Sequence, residues 1–168
     1  MRPPLIYYGS KTRLADHITH LLPDHTHYIE PYAGSLAVLL AKHPARMETA
    51  NDLDGDLVQF WTMLRDRTEE LERACALTPH SRTELTIAQQ PLERLGDIER
   101  ARRTWVRLTQ ARAGTMRATG WRYYANGAAS SISMSRYLDG YQSRLAPVAC
   151  PWRTPRGHTQ RSGPVRQN

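Results

Sequence analysis

Apolar positions along the chain change their period several times, and each change marks an element. Leu5-Ile6-Tyr7-Tyr8 is a short apolar run that stops at Gly9-Ser10-Lys11. From Thr12 the spacing turns helical, with Leu14, Ile18, Leu21 and Leu22 on one stripe until Pro23 and Asp24 end it. Tyr28-Ile29 reads as a short strand that meets Glu30 and Pro31. The chain then turns through Ala33-Gly34-Ser35 and enters an apolar run with good helix propensity over residues 36–41. Residues 42–45 form a loop and residues 46–50 the next strand, which leaves Asn51 and Asp52 at its C-terminal end.

The second half is helical in pattern. Leu57, Phe60, Trp61 and Leu64 mark a core-facing helix, and Leu71, Ala74 and Cys75 turn inward from the charged stretch that follows. Ser81-Arg82-Thr83-Glu84 matches a capping box and predicts a short helix through Ala88. Residues 97–112 carry an apolar stripe of Ile98, Ala101, Trp105, Leu108 and Ala111, with Arg100, Arg103 and Arg107 on the polar side. Helical spacing resumes over residues 130–144, with Tyr137, Leu138, Tyr141 and Leu145 together, and Pro147 is expected to end it. Beyond Cys150 the periodicity is gone and prolines, glycines and arginines accumulate, which predicts a disordered tail.

At 168 residues the chain can bury one sizeable core. No apolar run approaches the ~20 residues of a membrane span, and the N-terminus has no secretory pattern, so a cytoplasmic protein with no membrane partner is expected. Cys75 and Cys150 are too few and too far apart for a disulfide framework or a zinc site. His17, His20, His25 and His27 have no supporting carboxylate or cysteine spacing, and no metal site is expected from them. Charge changes the picture more. Residues 91–168 hold 14 arginines against 4 acids, a balance of +10, whereas residues 1–90 are net −3. A polyanion-binding C-terminal part is the physical reading of that asymmetry. A coding bias explains arginine over lysine, but not its concentration in one half.

A strand that breaks at a glycine and feeds a helix reads as the nucleotide-binding corner of a doubly wound α/β domain, or as a plain βα turn of some other α/β protein. Glycine allows the sharp turn and the close approach of a ligand. An acid at the end of the second strand, here Asp52, is placed to accept hydrogen bonds from ribose hydroxyls. Asp54 reads equally well as the N-cap of the next helix.

Glu30-Pro31-Tyr32-Ala33-Gly34 resembles motif I of the Dam/D12 class of N6-adenine-specific DNA methyltransferases. Tyr7-Tyr8-Gly9-Ser10-Lys11 before it and Asn51-Asp52-Leu53-Asp54 after it resemble two further motifs of that class, in the family's order. The resemblance runs from about Leu5 to about Val148. It implies an incomplete Rossmann-like α/β sheet with a helical DNA-recognition insert, and S-adenosylmethionine as cofactor. By that resemblance the cofactor would be held by Tyr7, Gly9, Lys11, Glu30, Pro31, Ala33, Gly34, Ser35 and Asp52. Tyr7 would pack on its methionine part and Lys11 would pair with its carboxylate. Residues 1–80 would form the cofactor part, 81–148 the basic target-recognition part on double-stranded DNA, and 149–168 an off-pattern tail. The recognition segment and its interleaved arginines and aromatics make Arg107, Arg112, Arg117 and Arg122 the DNA-contact candidates.

The family's catalytic Asp-Pro-Pro-Tyr is absent. The only Pro-Pro is Pro3-Pro4, between Arg2 and Leu5. Cytosine C5 chemistry is not indicated either, because Cys150 precedes its proline instead of following it. The expectation is therefore no catalytic residue in this chain, and a truncated, frameshifted or split methyltransferase whose missing loop a second polypeptide would supply. The alternative is a non-catalytic DNA-binding protein derived from the same fold.

Overall fold

The structure, a computed structural model, describes residues 1–123 and 134–153. Its centre is a βαβ unit. Strand β1 (His27–Glu30) leads through the glycine corner to helix α2 (Ala37–Ala41) and on to strand β2 (Met47–Ala50). The strands pair in parallel, with His27 opposite Met47 and Glu30 opposite Ala50. Backbone bonds extend the ladder past the strand ends, from Asn51 N–H to Glu30 O (3.0 Å) and from Ala33 N–H to Asn51 O (2.8 Å). The expected α/β class holds in this form, a small two-stranded parallel sheet among helices.

Helix α1 (Ala15–Leu21) packs on α2 and buries Ala15. Its predicted apolar stripe is not a core stripe, since Leu14 is exposed and Leu21 is 70% exposed. The sheet shows the same one-sidedness. Tyr28, Glu30 and Glu48 meet the α2 side, where the buried Lys42 lies 4.6 Å from the Tyr28 ring and bonds Glu48. The opposite face carries His27 and Met47, both exposed, and Ile29, 57% exposed. Parallel strands are ordinarily covered on both faces.

Helix α3 (Gly55–Asp66) begins at Asp54, whose carboxylate accepts from Asp56 N–H (3.0 Å) and Leu57 N–H (3.2 Å). The N-cap reading of Asp54 is the one realised. Leu57, Phe60, Trp61 and Leu64 are buried, as their spacing predicts. Helices α4 (Thr68–Ala76) and α5 (Arg82–Ala88) follow, with Ser81 Oγ accepting from Glu84 N–H (3.0 Å). The reciprocal half of the capping box does not form, because Glu84 bonds Arg102 instead.

Helix α6 (Asp97–Gln110) is the long central element, packed on α3, α4 and α5. Trp105 is fully buried and donates from Nε1 to Pro4 O (3.2 Å), which ties the N-terminus to the core. The helix stops before Arg112, where the sequence placed its end. A 3-10 turn over Arg112–Gly114 takes over, with Ala113 and Gly114 left-handed (φ 67° and 59°). Helices α7 (Met134–Gln142) and α8 (Leu145–Arg153) replace the single helix expected to close at Pro147. Pro147 lies instead in the first turn of α8, where a missing N–H breaks no helical bond. Helix α8 takes in residues 149–153 of the expected tail and buries Val148 and Ala149. Residues 154–168 lie outside the described residues. One cluster of buried side chains joins Leu36, Phe60, Trp105, Leu145 and Val148, so the hydrophobic core crosses the proposed boundary at residue 80.

Candidate functional site

The corner after β1 is held in an unusual backbone conformation. Gly34 (φ 48°) and Leu36 (φ 54°) are both left-handed. A glycine takes this conformation freely, whereas an L-residue such as Leu36 does so at a cost and only where packing enforces it. Leu36 is buried, and that burial holds it. A Cβ on Gly34 would lie 3.1 Å from Cδ1 of Tyr7, so Tyr7 and the corner are in close contact.

Both polar groups of Gly34 are clamped. Its N–H donates to Asp52 Oδ2 (2.8 Å), and its carbonyl accepts from Trp61 Nε1 (3.0 Å). Asp52 Oδ1 accepts from Asp54 N–H (3.0 Å). An ionised carboxylate offers about four acceptor positions, so Asp52 keeps two for further donors. On the other side, the Ser10 hydroxyl bonds those of Ser35 (2.6 Å) and Thr12 (2.6 Å). Gly9 (φ 76°) makes the turn that brings Ser10 there. Burial, with the charges of Asp52 and Asp54, raises the Tyr7 pKa and keeps its hydroxyl protonated.

The structure thus brings together Tyr7, Gly34, Ser35 and Asp52 from the predicted set, with Gly9 and Ala33 serving through the backbone. Lys11 and Pro31 are exposed at its margin. Glu30 faces elsewhere. Its Oε2 accepts from Leu39 N–H (3.2 Å) and from the Tyr28 hydroxyl (3.4 Å) against α2. Burial raises the Glu30 pKa, partly offset by the Leu39 bond, the Tyr28 bond and Lys42. Its carboxylate is engaged in fixing α2 to β1. Sequence reasoning missed Ser10 as a hub and Trp61 as a clamp. The stripe of α3 marks Trp61 as core, and nothing in the spacing shows that its indole N–H meets Gly34.

The arginines divide sharply. Arg107 is only 13% exposed at its side chain, and its donors go to Ala88 O (2.5 Å) and Gln90 O (2.7 Å), with Asp56 at 3.6 Å. Its guanidinium is committed inside the fold, which takes it out of the proposed DNA contacts. Arg100 pairs with Asp56, Arg102 with Glu84 and Glu99, and Arg103 with Glu99. Much of the positive charge on α6 is therefore balanced by acids from α3, α5 and its own first turn. Arg112 and Arg117 are exposed. Arg122 is half-buried, bonded to Ala111 O (3.3 Å) and set over the Tyr137 ring at 5.2 Å.

A glycine corner between parallel strands, with an acid at the end of the second one, defines a mixed α/β protein built on a βαβ unit. The chain belongs to the D12 class N6 adenine-specific DNA methyltransferase family, whose model matches residues 7–118. That span contains the corner, Asp52 and most of the helical part. The family acts in DNA adenine methylation, with DNA as substrate. No curated protein matches the chain. Among the described residues no helix is long and apolar enough to cross a membrane.

Proposed function

We propose that the corner binds S-adenosylmethionine and that the chain is the cofactor-binding and DNA-contacting part of an adenine-N6 DNA methyltransferase. The observation that carries this is the convergence of Tyr7, Gly34 and Asp52. A bare glycine lies against the Tyr7 ring, next to the Asp52 carboxylate. These residues fit the cofactor: Asp52 would accept from ribose hydroxyls, Tyr7 would pack on the methionine part, and Gly34, having no Cβ, lets the Tyr7 ring close on the corner. When bound, S-adenosylmethionine supplies a methyl group on an electrophilic sulfonium. Arg112, Arg117 and Arg122 would contact phosphates of double-stranded DNA, with the strong salt dependence of such contacts.

This chain carries no Asp-Pro-Pro-Tyr to hold an adenine amine. The catalytic loop would come from a second polypeptide. Support for that partner lies in the sheet, where β1 pairs only with β2 among the described residues and Ile29 and Met47 face outward. A further strand paired with β1 would occupy its free edge, and a helix packed on the sheet would cover that face.

Calorimetric titration with S-adenosylmethionine tests the cofactor reading. Asp52→Ala should weaken binding by roughly 10- to 150-fold, the loss of charged hydrogen bonds. Equal affinity in both proteins removes Asp52 from the site.

A further inference from the structure

A second constructed surface lies at the C-terminal end of α6. Ala111 bridges antiparallel to Trp121, with Arg112 N–H donating to Gly120 O (2.9 Å) and Arg122 N–H to Gln110 O (2.8 Å). The loop between them is closed by Thr119 Oγ1 donating to Arg112 O (2.7 Å) and by Gln89 Nε2 donating to Thr119 O (2.8 Å). Buried Gln110 fastens the segment before α5 to the same place, donating to Pro79 O (3.0 Å) and accepting from Ser81 N–H (3.3 Å). These bonds order the backbone before any ligand arrives.

What they present is aromatic and cationic. The rings of His80 and Tyr123 both stack on Trp121, at 4.6 and 5.2 Å between centroids and 24° and 16° between planes. His80 is held by its ring nitrogen on Arg122 O (2.9 Å), and burial lowers its pKa, so the ring is neutral beside the arginines. The Arg82 guanidinium lies 5.6 Å from the Trp121 ring. A cavity of about 410 Å3 is lined by Arg82, Gln89, Arg112 and Trp121, and another of about 350 Å3 by Arg112, Arg122 and Tyr123. Arg112 borders both. A purely structural role accounts for Trp121, which is half-buried over α5. It does not account for Tyr123, which stacks on that indole yet stays 58% exposed.

Stacked rings bordered by cations match a nucleotide, base on ring and phosphate on guanidinium. Paired bases in a duplex have their faces covered by their neighbours, so only an unpaired base has a face to offer. We propose that His80, Trp121 and Tyr123 form a stacking platform for an unpaired DNA base, with Arg82 and Arg112 meeting the adjoining phosphates. This rests on the DNA-binding reading above and adds to it His80, Arg82, Trp121 and Tyr123, none of which that reading uses.

The test measures binding of the full chain to a labelled single-stranded oligodeoxynucleotide and to the same sequence as a duplex, over a range of salt. Tyr123→Ala should weaken single-strand binding by roughly 5- to 150-fold and leave the salt slope unchanged, because no cation is removed. Tyr123→Phe should bind like wild type, and Arg112→Ala should flatten the slope. Circular dichroism of each variant confirms that it is folded. Single-strand affinity unchanged in Tyr123→Ala, or an equal loss on duplex and single strand, overturns the platform while leaving DNA binding in place. Absence of DNA binding by the wild-type chain overturns both readings.

Discussion

Gly34 is fixed on every side: its N–H by Asp52, its carbonyl by Trp61, and its missing Cβ by the Tyr7 ring. Gly9 makes an informative contrast. It is also left-handed, but a Cβ there would meet nothing within 4 Å. Gly9→Ala should therefore cost about 1–2 kcal/mol, the conformational term alone. Gly34→Ala should cost more, because Tyr7 has to move as well. Urea denaturation of the two variants reads the difference directly. If the costs are equal, the Tyr7 contact contributes nothing.

At the scale of elements, α6 shows how one helix divides its arginines between architecture and surface. Arg102 bonds Glu99, Glu84 and Thr78 and is only 13% exposed. Its loss leaves Glu84 half-buried without its partner, so Arg102→Ala should cost about 3 kcal/mol, the low end for a broken buried pair because Glu99 is partly in water. Arg102, and after it Arg103, hold the Glu99 pKa down to about 2. A carboxylate whose folded pKa is depressed stabilises the fold above its ordinary value near 4.5, and that contribution disappears as pH falls towards 2. Arg102→Ala should accordingly lose much of its disadvantage at acid pH, which urea midpoints at neutral and low pH would show. Arg112→Ala and Arg117→Ala should change stability by no more than about 0.5 kcal/mol. Each should instead lower the salt slope of DNA binding by about 1. Arg107→Ala should behave like the Arg102 variant and leave the slope alone.

At the scale of the whole molecule, one core supports the glycine corner and an aromatic, arginine-bordered surface. The 168 residues carry no Asp-Pro-Pro-Tyr to orient an adenine amine, and orientation of this kind can supply ~7–11 kcal/mol of a barrier. The 168-residue chain by itself should transfer no measurable methyl group to DNA. The assay follows labelled methyl from S-adenosylmethionine into unmethylated DNA, with nucleoside analysis of the product. N6-methyladenine formed by the purified chain would mean that another residue carries the catalysis. Activity restored by a polypeptide bearing the missing loop would support the split arrangement.

Local signals were enough to determine the order of elements through α6, the glycine corner and the strand-end acid. Each depends on periodicity, turn chemistry or motif order over a few residues. Trp105 was legible as core for the same reason, since its stripe on α6 is regular. The sequence could not show which polar groups would be used up inside the fold. Arg107 and Arg112 look alike along the chain, yet one reaches the carbonyls of Ala88 and Gln90 and the other reaches solvent. Leu14 and Leu21 follow a helical stripe, and tertiary packing leaves them uncovered. Pro147 reads as a stop, whereas a helix starting at Leu145 accepts it in its first turn. The stack of His80, Trp121 and Tyr123 joins positions some 40 residues apart. Hydrogen bonds across that separation form only when α5 and α6 pack together, so tertiary structure alone decided it.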